Sequence, residues 1–388
     1  MEASLKLGNG NWGVKEDSLL AYSDKNNNFL PFPFDFSRAS SATVVNKAGL
    51  IETVQSGISR IDFKDDANGA LLLEPQSTNL INYSEDFSNA SWNKLNIGTG
   101  TVAVTSNQGV APNGYLTADR IQFNLNGGVS ASDRSIIRFN NSDASNRILT
   151  FYLKSFNGID QQISLHNGAE GVPFTVTGDW QRFDFVIPSG FNFQGLGLLG
   201  SRGADSSDLL VWGAQLEEQS YPTSYIPTSG ASSTRVSDSA TNSGNATVIN
   251  STEGVLYAEI AALANISENR SIEIKSNSDS STYILVKYGA PTNRVECQYR
   301  TSGYSLQASL FKDLTDSTEY IKIAFKWQLN NFSLYINGIK ISEDLSGNVN
   351  PSNTFDNLLF NNFHSKTKDL RVYKTALTDA ELISLTTI

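Results

Sequence analysis

The sequence predicts an all-β protein: two β-sandwich (jelly-roll) domains in tandem behind a β-rich N-terminal attachment region, with one short C-terminal helix. Three observations predict it. Short runs of alternating apolar and polar residues recur along the chain, separated by Asn/Gly/Ser turn clusters. Aromatics are 10% of the 388 residues and charged residues only 18%, a profile suited to turn-rich β structure. Helical periodicity is confined to the last dozen residues.

Taken in order, the N-terminal portion is Gly/Asn-rich from Gly8 to Gly13 and then carries Pro31-Phe32-Pro33-Phe34. In the middle of the chain Arg147 to Lys154, Gln162 to His166, Gln181 to Ile187 and Asp208 to Trp212 read as strands. Residues 229–252 are mostly Ser, Thr, Asn, Ala and Gly, too poor in apolar groups to bury a core, and read as a linker. Beyond it come strands at Val255 to Ile260, Ser271 to Lys275 and Tyr283 to Tyr288. Period-two alternation then puts Ile321, Ile323, Phe325, Trp327 and Leu329 on one face. A turn at Asn330-Asn331, a return strand Phe332 to Ile336 and the hairpin signal Asn337-Gly338 complete a meander ending at Ile341. Thr378-Asp379-Ala380-Glu381 is a capping box, so Thr378 caps a helix whose apolar side is Leu382, Ile383 and Leu385. The expected divisions are 1–79, 80–228, the linker 229–252, and 253–388.

Charge and composition exclude several function classes. Acidic residues (39) outnumber basic ones (29), and no Lys/Arg-rich run is present to neutralise phosphates, which argues against nucleic acid. Residues 253–388 hold 13 basic and 15 acidic groups, so a ligand there is not held by net charge. The single cysteine, Cys297, excludes an intrachain disulfide and alternates with Val295 and Tyr299 as a small core residue. No apolar run is long enough for a membrane span, and the start at Met1 lacks the pattern of a secretory signal. A surface-type β-protein of this kind is expected to leave the cytoplasm by another route, and release with a virus particle is one.

Motifs with chemical meaning are sparse. G-x-G-x-x-G occurs at Gly8–Gly13 and Gly195–Gly200, but neither copy precedes a helix signal, as a pyrophosphate site requires. His166, beside Asn167-Gly168, reads as an exposed turn histidine, and Glu217-Glu218 would point to opposite faces of one strand. Asp65-Asp66-Ala67-Asn68-Gly69 and Asp205-Ser206-Ser207-Asp208 offer oxygen ligands of the kind Ca²⁺ accepts, although a polar turn is the plainer reading. Trp180 and Trp327 fall in alternating strands and are expected in cores. Tyr299, Tyr304, Phe363 and His364 sit nearer turns, where a ring can stack on a sugar; they are the candidate glycan contacts, set against placement in core or rim.

Longer stretches carry a family resemblance. Phe36-Ser37-Arg38-Ala39-Ser40-Ser41-Ala42-Thr43, Arg60-Ile61-Asp62-Phe63 and Leu71-Leu72-Leu73-Glu74-Pro75-Gln76-Ser77-Thr78-Asn79-Leu80 follow one another as in a family of bacteriophage tail and head-fibre structural proteins, which this chain resembles. Ser59 and Ser77 stand where that family often has Pro and Arg. Thr177 to Phe185 and Val211 to Glu218 resemble a carbohydrate-binding-module-type jelly roll, and Tyr221 to Thr228 closes that resemblance. Phe332 to Gly338 with Asp369 to Glu381 is similar to concanavalin A-like (laminin G-type) lectin domains.

The resemblance implies a non-enzymatic virion structural protein of tail, baseplate or head fibre, exposed on the particle surface. Residues 1–79 would attach to other virion proteins, and the sandwiches would bind host surface polysaccharide, with shallow sites made effective by a homotrimer. Two rival expectations remain: a purely architectural protein that binds no glycan, and a capsule-degrading hydrolase, whose stacked short repeats are not visible here. A bacterial surface adhesin would ordinarily carry an export signal.

Overall fold

The computed structural model describes residues 2–141, 145–166, 172–201 and 203–388. The chain forms two compact units. One comprises Met1–Gly49, Thr53–Pro75 and Val236–Ile388; the other comprises Leu50–Glu52 and Gln76–Arg235.

The first unit is a sandwich of a ten-stranded and a nine-stranded sheet. At the centre of the larger sheet Glu253–Ala262 pairs with Ile321–Gln328 on one side and Ser365–Tyr373 on the other. The expected meander is present, with Phe332–Ile336 and Ile339–Asp344 continuing it antiparallel. Asn337 and Gly338 both adopt positive φ (48° and 77°), as their hairpin turn requires. Ile321, Ile323, Phe325 and Trp327 are buried in the inter-sheet core, whereas Leu329 lies beyond the strand and is exposed. On the other side of this sheet the helix Asp379–Thr386 covers Tyr257, Ala324 and Tyr335 with Leu382. Its capping box is made: Glu381 N–H donates to Thr378 Oγ1 at 3.4 Å and Thr378 N–H to Glu381 Oε2 at 2.9 Å. Ile383, expected on the apolar side, is exposed.

Residues 1–79 do not stand apart as a structural unit of their own. Leu5–Gly8 and Ala70–Leu73 both pair with Ser365–Tyr373 in the larger sheet, and Phe34–Ser37 pairs with Ser239–Ser243 in the smaller one. Nor is 229–252 a linker. Ser233–Arg235 and Ser239–Ser243 are strands, and Ala240, Val248 and Ile249 are buried in the core of the first unit. Low apolar content does not prevent a strand here, because Ser239–Ser243 has partners on both edges and is held by its backbone.

The motif residues of the N-terminal stretch explain themselves in this unit. Arg38 Nη1 meets Asp238 Oδ1 at 3.0 Å, Arg60 Nη1 meets Glu74 Oε2 at 2.6 Å, and Arg60 also bonds Asp238. The Glu74 N–H donates to Asp238 Oδ2 at 2.9 Å, and Arg38 Nη2 donates to the Gln55 carbonyl at 2.7 Å. All four charged side chains are buried.

The second unit is a jelly roll of two five-stranded sheets. One runs Trp92–Ile97, Arg134–Asn140, Phe193–Leu199, Gln161–His166, Val172–Val176; the other contains the long strand Ser206–Glu217 between Leu116–Asn124 and Arg147–Ser155. Trp92, Phe139, Phe151, Leu165, Leu196 and Val211 fill the space between them. Trp180 stands just before its strand rather than within it, half-buried, its Nε1 donating to the Val110 carbonyl at 3.0 Å.

Candidate functional site: the outward face of the nine-stranded sheet

Alternation places one side-chain set of the smaller sheet in the core and the other on the opposite face. Ile272, Ile274, Ile284, Val286, Val295, Cys297 and Leu310 point inward. The outward set is polar. In register across neighbouring strands, Ser271, Lys287, Glu296 and Phe311 form one row, and Glu273, Leu285, Gln298 and Ser309 the next. Lys275, Tyr283 and Arg300 form a third.

Two carboxylates organise this face. Glu273 accepts from Ser271 Oγ at 2.7 Å, Asn361 Nδ2 at 2.8 Å and Lys275 Nζ at 3.3 Å. Glu296 accepts from Gln298 Nε2 at 2.5 Å, Ser309 Oγ at 2.6 Å and Lys287 Nζ at 2.9 Å. Burial alone would raise the Glu296 carboxyl; bonds from Ser309, Gln298 and Lys287 outweigh it and hold the group below its usual range. Gln298 Oε1 is in turn fixed by Arg300 Nε at 3.1 Å, and Arg300 Nη1 reaches the Tyr304 carbonyl at 2.6 Å. At the sheet edge the Arg294 guanidinium lies 3.9 Å from the Phe311 ring centroid and bonds Asp313 at 2.7 and 3.0 Å. The face thus holds amides, hydroxyls and carboxylates in fixed orientation, with Ser271, Glu273 and Gln298 buried and the rings of Phe311 and Tyr304 exposed beside them.

Of the four sequence candidates, Tyr304 alone is open to solvent, 57% exposed at the turn between Arg294–Thr301 and Ser305–Asp313. Tyr299 is a correction: it is 0% exposed, donates to the Ser251 carbonyl at 2.7 Å and accepts from Asn350 N–H at 2.8 Å. Burial pushes its phenol up to about 12. Phe363 is likewise core, 6.2 Å from Tyr288 and 5.8 Å from Phe360 between ring centroids. His364 is half-buried, with Nε2 3.0 Å from Ser237 Oγ. Glu296, Gln298, Arg300 and Glu273 were missed, although the signal was present. If Val295, Cys297 and Tyr299 face the core, period-two alternation sends Glu296, Gln298 and Arg300 to the other side.

The suggested calcium loops hold their own counter-charges. Asp66 meets Lys368 Nζ at 2.7 Å and Asp65 meets Lys366. Asp208 takes a two-pronged contact from Arg120 at 2.9 and 2.6 Å, and Asp205 Oδ1 accepts from Gly127 N–H at 2.7 Å. Neither glycine motif opens a helix, since Gly195–Gly200 begins inside the strand Phe193–Leu199 and Gly8 ends Leu5–Gly8. Glu217 is buried and accepts from Ser77 Oγ at 2.5 Å and Thr223 N–H at 3.1 Å.

No family model matches this chain, and no curated protein matches it. Among solved structures it is similar to the CBM40 of the Ruminococcus gnavus IT-sialidase bound to α2,3-sialyllactose. That match is 16% identical with TM-score 0.30, covering 37% of this chain and 92% of that one. A tandem CBM22 from Paenibacillus barcinonensis Xyn10C is 12% identical with TM-score 0.26, covering 78% and 99%. Mouse laminin α1 domains LG4-5 are 11% identical with TM-score 0.24, covering 66% and 91%. At TM-scores this low the likenesses carry no argument about fold or ligand, which rest on the chain's own sheets and side chains.

Proposed function

We propose that this chain binds glycan without cleaving it, and that the outward face of the nine-stranded sheet holds a neutral, hydroxyl-rich saccharide. The observation that carries the reading is the paired network around Glu273 and Glu296. Their donors hold both carboxylates in place before any ligand arrives, which lowers the cost of ordering them on binding. Charges on the face nearly cancel: Lys275, Lys287, Arg294 and Arg300 stand against Glu273, Glu296 and Asp313. That balance favours an uncharged partner. A hydrolytic acid needs a carboxyl held protonated near neutral pH, and Glu296 is held the opposite way.

The finer reading, an appendage exposed on a bacteriophage particle and bound to host polysaccharide as a homotrimer, rests on the sequence resemblance. Antibody decoration of purified particles and sedimentation of the purified chain test those two parts.

Calorimetry of the intact chain against a panel of neutral oligosaccharides tests the site. Binding that falls about tenfold in Glu273→Gln, Glu296→Gln and Tyr304→Ala is expected. Binding unchanged in all three, or shortening of the saccharide by the wild-type protein, would overturn the proposal.

A further inference from the structure

A second face, in the jelly roll of the other unit, has a different chemistry. On its sheet Ile137, Phe139, Leu165, Leu196 and Leu198 point into the core, so Arg134, Ile136, Arg138, Ser164 and His166 lie on the opposite side, where Ile136, Ser164 and His166 are buried and the two arginines half-buried. Register puts Arg138 and His166 on either side of Gly195, and Ile136 and Ser164 on either side of Gly197. The two glycines let the neighbouring strand pack closely, with no room for a side chain at either position. A Cβ at Gly195 would sit 2.0 Å from the Ile137 carbonyl oxygen, and one at Gly197 2.4 Å from Ile136 Cγ1. Beside Ser164, Gln162, Pro173 and Leu199 a cavity of about 250 Å³ opens.

His166 is not the exposed turn histidine that the sequence suggested; Asn167 and Gly168 themselves lie outside the described residues. It is 3% exposed, and its Nδ1 is buried without a hydrogen-bond partner among the described residues. Arg134 Nε and Arg138 Nε are also buried without one. Among the described residues no carboxylate forms an ion pair with either arginine, unlike Arg120, which is paired with Asp208. Arg138 is held by stacking instead, its guanidinium 3.9 Å from the Phe193 ring centroid. Burial, and then the charges of Arg138 and Arg134, lower the proton affinity of His166, and burial followed by the charge of Arg134 does the same to Arg138. Residues 76–235 as a whole carry thirteen carboxylates against nine cations, so this positive face is local and not a product of net charge.

We infer that the outward face built on Arg134, Arg138 and His166 is a second binding site, which takes an acidic saccharide whose oxyanion is gripped by the two guanidinium groups. A planar guanidinium matches the oxygens of a carboxylate or sulfate with two parallel bonds, and a neutral histidine supplies a further polar contact. An anion there would satisfy donors that the described residues leave unanswered and relieve the repulsion between the arginines.

The test titrates the intact chain with polygalacturonate, dextran sulfate and neutral dextran. Binding to one or both polyanions that an excess of neutral dextran does not compete is expected, and the pair of polyanions tells carboxylate from sulfate. R134Q and R138Q should each weaken it about tenfold, while R120Q leaves it unchanged. Ligand should also protect Arg134 and Arg138, in the wild-type protein, from phenylglyoxal as read by mass spectrometry. No polyanion binding, an equal loss in R120Q, or no protection at Arg134 and Arg138 would each overturn the inference. Because E273Q and E296Q alter only the other face, they should leave polyanion binding intact even if the neutral-saccharide site fails.

Discussion

Arg60 and Asp238 lie 178 residues apart in sequence and form an ion pair with both side chains fully buried. Arg60 comes from the Arg-Ile-Asp stretch and Glu74 from the Leu-Leu-Leu-Glu stretch, while Arg38 belongs to Arg-Ala-Ser. All three meet around Asp238. The stretches that carry the resemblance to fibre proteins therefore serve to clasp the N-terminal strands onto residues that follow the inserted jelly roll. They are structural residues.

Removing the shared partner should be costly. Asp238→Asn removes the carboxylate shared by the buried Arg38 and Arg60, and such a break costs about 3–5 kcal/mol. Arg294→Ala, which removes a surface pair with Asp313, should change stability by only a small fraction of that. Urea unfolding of both variants measures the difference.

Tyr299 and Tyr304 should separate stability from binding. Tyr299→Phe strands the buried Asn350 N–H and should cost about 1–3 kcal/mol while leaving ligand affinity alone. Tyr304→Ala should leave the thermal midpoint within a degree or two, about the effect of a surface substitution, and reduce saccharide binding. The reverse pattern in melts and calorimetry would return the site to the inner residues.

His166 gives a pH signature with a definite sign. Burial, then the charges of Arg138 and Arg134, depress its imidazolium to about 4. Between that value and an unfolded value of about 6.5 the unfolded chain binds more protons, so this residue takes stability away as pH falls through that window. Allowing for screening by nearby solvent, the loss should be roughly 2 kcal/mol. Thermal midpoints of wild type and His166→Gln, compared from pH 7.5 to 4, should converge or cross as pH falls, with the wild type losing more. Parallel curves would contradict the assignment.

Residues 253–388 should not fold alone. That fragment loses Leu5–Gly8 and Ala70–Leu73, both partners of its strand Ser365–Tyr373, and Ser239–Ser243, a partner of its strand Asn357–Asn361. A chain joining residue 75 to residue 236 through a short Gly/Ser loop keeps every strand of the first unit and should melt cooperatively, as near-UV circular dichroism would show.

Much of the local structure was legible. Strands such as Gln181–Ile187, the meander from Ile321, the Asn337-Gly338 turn and the Thr378 capping box are written in nearest-neighbour patterns, because period-two alternation and side-chain capping act within a few residues. The parity of Val295, Cys297 and Tyr299 was legible too, and followed one step further it would have reached Glu296 and Gln298.

The sequence by itself determined an all-β chain, its turn positions, its closing helix and the inward set of most strands. Tertiary structure decided which strands are neighbours. Backbone hydrogen bonds look alike from any residue, so pairing Leu5–Gly8 with a strand more than 350 residues later leaves no local trace. The same holds for function: a row such as Glu273 and Gln298, or Arg138 and His166 across Gly195, exists only once separate strands are laid in register. Charge and hydrogen bonding depend on distance in space, and the sheets set that distance.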